Sequence, residues 1–207
     1  NPIGKEELKA AQSVIRSGVL SDFIAKDGKN FLGGKNVKKF ENNIKKYFNT
    51  NYAITVNSWT SGLIAAFGSI GLEPGDEVIL PTWTMSACAM SILNWNAIPV
   101  FVDIEKDTFN INPNLIEKKI SKKTKAILAV DIFGHPADYK SIFSIAKKYN
   151  LKVISDSAQS IGAKYNNKFS GTFADIGGFS LNCHKHIHTG EGGILLTNNK
   201  DTAEKLR

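Results

Sequence analysis

The stretch AILAVDIFGHPADYKSIFSIAKKYNLKVISD, residues 126–156, carries the pattern from which the fold follows. It opens on an apolar run of strand length, Ala126 to Val130. Ile142, Ile145, Ala146 and Tyr149 then recur at the spacing of one helix face. Val153 to Ser155 is a second apolar strand, ended by Asp156. An apolar strand, an amphipathic helix and another apolar strand make the unit of a parallel sheet with helices on its faces.

The same alternation extends upstream. Tyr52 to Val56, Glu77 to Leu80 (closed by Pro81) and Ile98 to Asp103 read as strands. Leu63, Ala66, Phe67 and Ile70 mark a helix stopped by Gly71, Pro74 and Gly75. Residues from about Ser86 to Trp95 read as helical, and Pro113 to Ile120 as a helix capped by Asn112. Val37, Phe40, Ile44 and Tyr47 mark an earlier helix. Before it, a helix from about Lys5 to Ser17 ends at Gly18. The Asp-, Lys- and Gly-rich loop Val19–Gly34 that follows is longer than a simple connector, so it is functional or mobile. The expected architecture is α/β: three α-β-α layers around a mostly parallel sheet. Residues 1–34 form an N-terminal helix and loop segment, and 35–207 the main domain.

Composition narrows the function classes. A chain of 207 residues, 42% hydrophobic and 22% charged, can build a sizeable core. No apolar run approaches the ~20 residues of a membrane-spanning helix. Asn1-Pro2-Ile3-Gly4 is no basic segment followed by an apolar stretch, so no secretory signal is expected. Cys88 and Cys183 are too few and too far apart for a disulfide framework or a metal site, which suits a reducing, cytoplasmic setting. The net charge of +7 comes from scattered lysines with no continuous basic arm. That argues against a nucleic-acid partner and suits an anionic substrate.

Three loops fall at or beyond strand ends, where ligands bind in such sheets. Asn57-Ser58-Trp59-Thr60-Ser61-Gly62 brings hydroxyls to a helix N-terminus, a phosphate site or plain capping. Asp156-Ser157-Ala158-Gln159 puts a carboxylate at a strand end, a partner for a cationic ring nitrogen or again a cap. Gly178 to Gly193 sets Lys185 in a polar loop between apolar runs, flanked by His184, His186 and His188. Three histidines at alternate positions lack a fourth ligand, so no metal is expected.

These motifs stand in one order with Gly71-Leu72-Glu73-Pro74-Gly75-Asp76-Glu77-Val78-Ile79, Pro99-Val100-Phe101-Val102-Asp103-Ile104, Asp107-Thr108-Phe109-Asn110-Ile111 and Thr124-Lys125-Ala126-Ile127. Over nearly its whole length the chain resembles the DegT/DnrJ/EryC1/StrS family of sugar aminotransferases that use pyridoxal 5'-phosphate (PLP). The resemblance implies the large domain of a fold type I PLP enzyme. Lys185, counted back from Gly190-Glu191-Gly192-Gly193, matches the lysine that holds the cofactor as a Schiff base. Asp156 matches the partner of the pyridine nitrogen and Gln159 a residue beside the ring. Ser180, Thr60 and Ser61 match phosphate-binding positions. An ionised aspartate keeps the ring nitrogen protonated, and a deprotonated lysine can form the imine and move a proton.

The implied reaction moves an amino group, usually from glutamate, to a nucleotide-linked keto-deoxy sugar. Its setting is surface polysaccharide or glycoconjugate biosynthesis, in a cytoplasmic homodimer. Three departures stand out. Trp59 occupies a position where glycine is common. Met85 stands where an aromatic residue often stacks on the ring, and Trp83 is the alternative. Family members also carry a further small C-terminal domain. Two other readings remain: a sugar 3-dehydratase, in which histidine replaces the lysine, and a non-catalytic relative. Lys185 at the key position and the presence of Asp156 favour the aminotransferase.

Overall fold

The computed structural model describes residues 3–26, 28 and 30–207. Helix α1 (Lys5–Ser17) ends at Gly18 in the left-handed conformation and buries none of its residues. Helix α2 (Lys35–Phe48) leads into strand β1 (Tyr52–Val56) and helix α3 (Trp59–Ser69). Strand β2 (Glu77–Pro81), helix α4 (Ser86–Leu93) and strand β3 (Ile98–Val102) follow. Next come α5 (Pro113–Ile116), β4 (Thr124–Val130), α6 (Tyr139–Tyr149) and β5 (Lys152–Asp156). A small hairpin, β6 (Lys164–Tyr165) with β7 (Lys168–Phe169), precedes β8 (Ile176–Ser180), β9 (Gly193–Thr197) and α7 (Lys200–Lys205).

The main sheet has the order β1-β9-β8-β5-β4-β2-β3. From β8 to β3 each neighbouring pair is parallel. β9 runs antiparallel to both β8 and β1. The expected three-layer, mostly parallel architecture is what forms. Several boundaries move: α4 ends at Leu93 rather than about Trp95, and β4 starts at Thr124 rather than Ala126. Pro81 is the last residue of β2 rather than its stop, a strand end where a missing N–H is tolerated. β3 ends at Val102, one residue before Asp103. The 113–120 helix divides into α5 and a 3-10 turn, Glu117–Lys119, with Asn112 accepting from the Asn114 N–H as its cap.

Strand periodicity sorts the core into layers. Leu128 and Ile154 pack with Leu63 and Phe67 of α3 and Ile92 of α4 on one face. Ile127 and Val153, one residue over, pack with Ile142, Ile145 and Ala146 of α6 on the other. Phe48 of α2 seals a third cluster with Phe179, Ile194 and Leu196. Each fully buried aliphatic side chain contributes about 1.5–3 kcal/mol. Among the described residues, no helix is long and apolar enough to cross a membrane.

The strand ends are tied together by a second aspartate. Asp131, just past β4 and 1% exposed, donates its backbone N–H to the Asp156 carbonyl at 2.9 Å. Its Oδ1 accepts from the Ala137 N–H (3.0 Å) and the Tyr139 hydroxyl (2.8 Å). Its Oδ2 accepts from Ser157 (2.6 Å) and Ser160 (3.1 Å). Burial pushes the Asp131 carboxyl up, and these four donors oppose the shift. They occupy the lone-pair sites of both oxygens. The end of β4, the start of α6 and the loop after β5 are thereby held as one unit. Asp131→Ala leaves the buried Ala137 N–H and the three hydroxyls without their acceptor. The expected loss is about 2–4 kcal/mol, read as a lower denaturant midpoint with the fold retained.

Candidate functional site

A cleft of about 310 Å³ opens at the carboxyl ends of β4 and β5. Five segments reach it: the N-terminus of α3, the turn before α4, the end of β4 with Asp131 and Ile132 beyond it, the loop after β5 and the loop between β8 and β9. Thr60, Met85, Asp156, Gln159, Ser180 and Lys185 all border it. Those are six of the eight positions singled out from sequence. Ser61 and Trp83 are not among the lining residues.

The reason differs for each. Ser58 is the N-cap of α3, and its hydroxyl accepts from the Ser61 N–H at 3.1 Å. The two hydroxyls also meet at 3.0 Å. Ser61 therefore serves the cap, and Ser58, read from sequence as a capping candidate, both caps the helix and faces the cleft. Trp83 is 52% exposed and stands in an aromatic row outside the cleft. Its ring lies 5.9 Å from Phe109, which lies 5.9 Å from Phe133. The backbone of both phenylalanines is left-handed, at φ 62° and 54°. Met85 is at the cleft and 69% exposed.

The loop carrying Lys185 grows from a paired stem. Ser180 of β8 stands opposite Gly193 of β9. The Leu181 N–H bonds the Gly192 carbonyl, and the Thr189 N–H bonds the Leu181 carbonyl, both at 2.9 Å. Asn182 donates its amide to Glu191 Oε1 at 2.6 Å, and the Lys185 N–H bonds the Asn182 carbonyl at 2.9 Å. Gly193 lets this stem approach α3, since a Cβ there would sit 2.7 Å from the Ser58 carbonyl carbon and the Trp59 nitrogen. The hydroxyl-rich turn and the lysine loop are thus in contact through backbone. Asn182 and Glu191 also line the cleft; both lie in the Gly178–Gly193 stretch singled out from sequence, which gave neither a role of its own.

Asp156 lies at the floor, 6% exposed. Its Oδ1 accepts from the Trp59 indole N–H at 2.6 Å and the Ala158 N–H at 3.1 Å. Its Oδ2 accepts from the Cys88 thiol at 3.1 Å. Burial pushes the carboxyl up; the thiol, the Ala158 amide, the indole and the charge of Lys185 act against it. The same burial, with the charge of Asp156, pushes the Cys88 thiol far up, so it stays a neutral donor. Across the floor, Gln159 accepts the Phe133 N–H on Oε1 at 2.7 Å, so its remaining polar group is the NH2.

A buried carboxylate, a lysine and several hydroxyls around one cleft make a site for a ligand with a cationic end and an anionic end. The sequence model of the DegT/DnrJ/EryC1/StrS aminotransferase family matches residues 4–207. The chain is 44% identical over 167 residues to the GDP-perosamine synthase of Escherichia coli O157:H7, covering 81% of this chain and 46% of that protein. A solved aminotransferase from Psychrobacter cryohalolentis superposes with a TM-score of 0.90 at 33% identity, covering 99% of this chain and 50% of the other. The E. coli GDP-4-keto-6-deoxy-D-mannose-3-dehydratase with bound hydrated PLP superposes at 0.89 and 29% identity, covering 100% of this chain and 52% of the other. The chain belongs to the DegT/DnrJ/EryC1/StrS aminotransferase family. It spans about half the length of the curated relatives it matches.

The floor aspartate gives a pH test. Its folded-state pKa is raised, so its contribution to stability is full below the unfolded value of about 3.9 and is lost as pH rises through the folded one. Asp156→Asn keeps an acceptor for Trp59 and Ala158 and removes the charge. The ligand-free variant should therefore melt higher than wild type at pH 7. The gap should shrink as pH falls toward 4, measured as thermal midpoints across that range.

Proposed function

We propose that this protein binds PLP in the cleft through Lys185 and transfers an amino group from glutamate to a nucleotide-linked keto-deoxy sugar. The observation that carries the proposal is the buried Asp156 carboxylate. Among the described residues, neutral groups alone hydrogen-bond to it. A carboxylate taken out of water calls for a cation, and a protonated pyridine nitrogen supplies one of the right size. The rest of the lining fits the same molecule. Hydroxyls of Ser180, Ser58 and Thr60 suit a phosphate, and Lys185 is the amine an aldehyde needs.

When bound, PLP supplies an electron sink for the carbanion left when a proton leaves the amino-bearing carbon. The chain's own residues do the rest. Asp156 keeps the ring-nitrogen proton in place, which makes the sink effective. Lys185 Nζ would hold the cofactor covalently at its aldehyde carbon, with loss of water, and as a free amine would take and return the proton. Gln159 offers its NH2 beside the ring. Ser61 acts one step back, holding the α3 cap in place. Of the two candidates for the ring face, Met85 borders the cleft and would be the one to cover it, while Trp83 stands outside.

Lysine rather than histidine at position 185 favours amine transfer over 3-dehydration. Residues 35–207 form the cofactor-binding unit, with 1–34 a separate segment. We assign the product to surface polysaccharide or glycoconjugate synthesis, and the working unit to a cytoplasmic homodimer.

The test uses the full-length protein with added PLP. A visible band that borohydride removes, with the reduced adduct mapped to Lys185 by mass spectrometry, is the expected result. Lys185→Ala should lose the adduct and lower turnover by at least about 10³-fold. Absence of any band in PLP-treated wild type would sink the reading.

A further inference from the structure

Trp59 borders the site, and the functional reading leaves its side chain without a task. It is the first residue of α3, 5% exposed, and its ring is wedged against β8. A Cβ on Gly178 would overlap that ring and the Ile194 carbonyl oxygen. A Cβ on Gly62 would sit 3.0 Å from the same ring. The indole therefore has little freedom to turn, and its N–H is aimed at Asp156 Oδ1 at 2.6 Å.

The donor count on the carboxylate is uneven. Oδ1 receives two N–H groups, from Trp59 and Ala158, which fill its lone pairs. Oδ2 receives a single weak donor, the Cys88 thiol, which also contacts the Thr84 hydroxyl at 3.0 Å. One strong acceptor position is left, and it is on Oδ2.

Resting on the proposal that PLP binds here, we infer that Trp59 is a positioning residue for Asp156. Its indole N–H occupies Oδ1, presents Oδ2 to the ring nitrogen, and weakens the carboxylate as a base so that the shared proton stays on the ring. The direction follows from hydrogen-bond chemistry. Each donor to a carboxylate stabilises its charged form. Removing the N–H makes Asp156 the stronger base, and the proton moves from nitrogen toward oxygen.

Two variants of the full-length protein separate the N–H from the ring. Trp59→Phe removes the donor along with part of the ring. Replacing Trp59 by its benzothiophene analogue, with sulfur in place of the N–H, keeps the shape, so the question stays answerable if the first variant folds poorly. Each is loaded with PLP labelled with ¹⁵N in the ring. The expected result is a ring ¹⁵N shift displaced toward that of unprotonated pyridine, together with a kcat lowered roughly 10–100-fold and a donor KM within about twofold of wild type. A purely structural role would change folding or PLP uptake but not move the ¹⁵N shift of the PLP that binds. Wild-type shift and kcat in the benzothiophene protein would overturn the inference while leaving the functional reading intact. Wild type that takes up no PLP would overturn both.

Discussion

Two carboxylates end adjacent parallel strands inside this protein, and burying a carboxylate is tolerable only if donors surround it. Much of the local structure answers that demand. Asp131 is satisfied completely by one amide and three hydroxyls, which come from the start of α6 and the loop after β5. It behaves as a structural anchor. Asp156 is satisfied on one oxygen and thinly on the other. The two residues are joined through backbone, the Asp131 N–H donating to the Asp156 carbonyl. Asp156 keeps an unmet need that a cationic ligand can fill.

This division explains why the polar residues near the floor are small and neutral. Ser155, Ser157 and Ser160 are each almost wholly buried. A lysine or arginine among them would neutralise Asp156 permanently and remove its reason to bind anything. The serines serve Asp131 and each other, with Ser155 bonded to both Tyr139 and Ser157. The nearby cation is on Lys185, which acts on Asp156 through space rather than by a direct bond.

Much of this was legible in the chain itself. The strand and helix alternation from Tyr52 to Asp156 follows from apolar runs and helix-spaced faces, and it sets the parallel sheet. What local pattern could not carry was direction and distance. β8 and β9 are five-residue apolar runs, and nothing in such a run says that one will run against the other. The motifs located most of the cleft, because loops after parallel strands converge there whatever their side chains. Ser61 and Trp83 do not border the cleft, since one is drawn into a cap and the other into an aromatic row. The Trp59–Asp156 bond joins residues 97 apart, and Cys88 bonds the same carboxylate from 68 away. No periodicity spans such gaps. The departure at position 59 was visible, but its consequence needed the fold.

The lysine loop leaves and rejoins the sheet at one paired position, Ser180 opposite Gly193. Everything between those residues is therefore bounded by a stem held by backbone pairing and by the Asn182–Glu191 bond. Side chains such as His184, Lys185 and His186 contribute little to the core, so replacing one changes what the cleft does without disturbing the layers beneath it. Natural variation can explore new chemistry in this segment at small risk to folding. The stem makes the loop an exchangeable part, and a scaffold built this way can diversify its reactions faster than its shape.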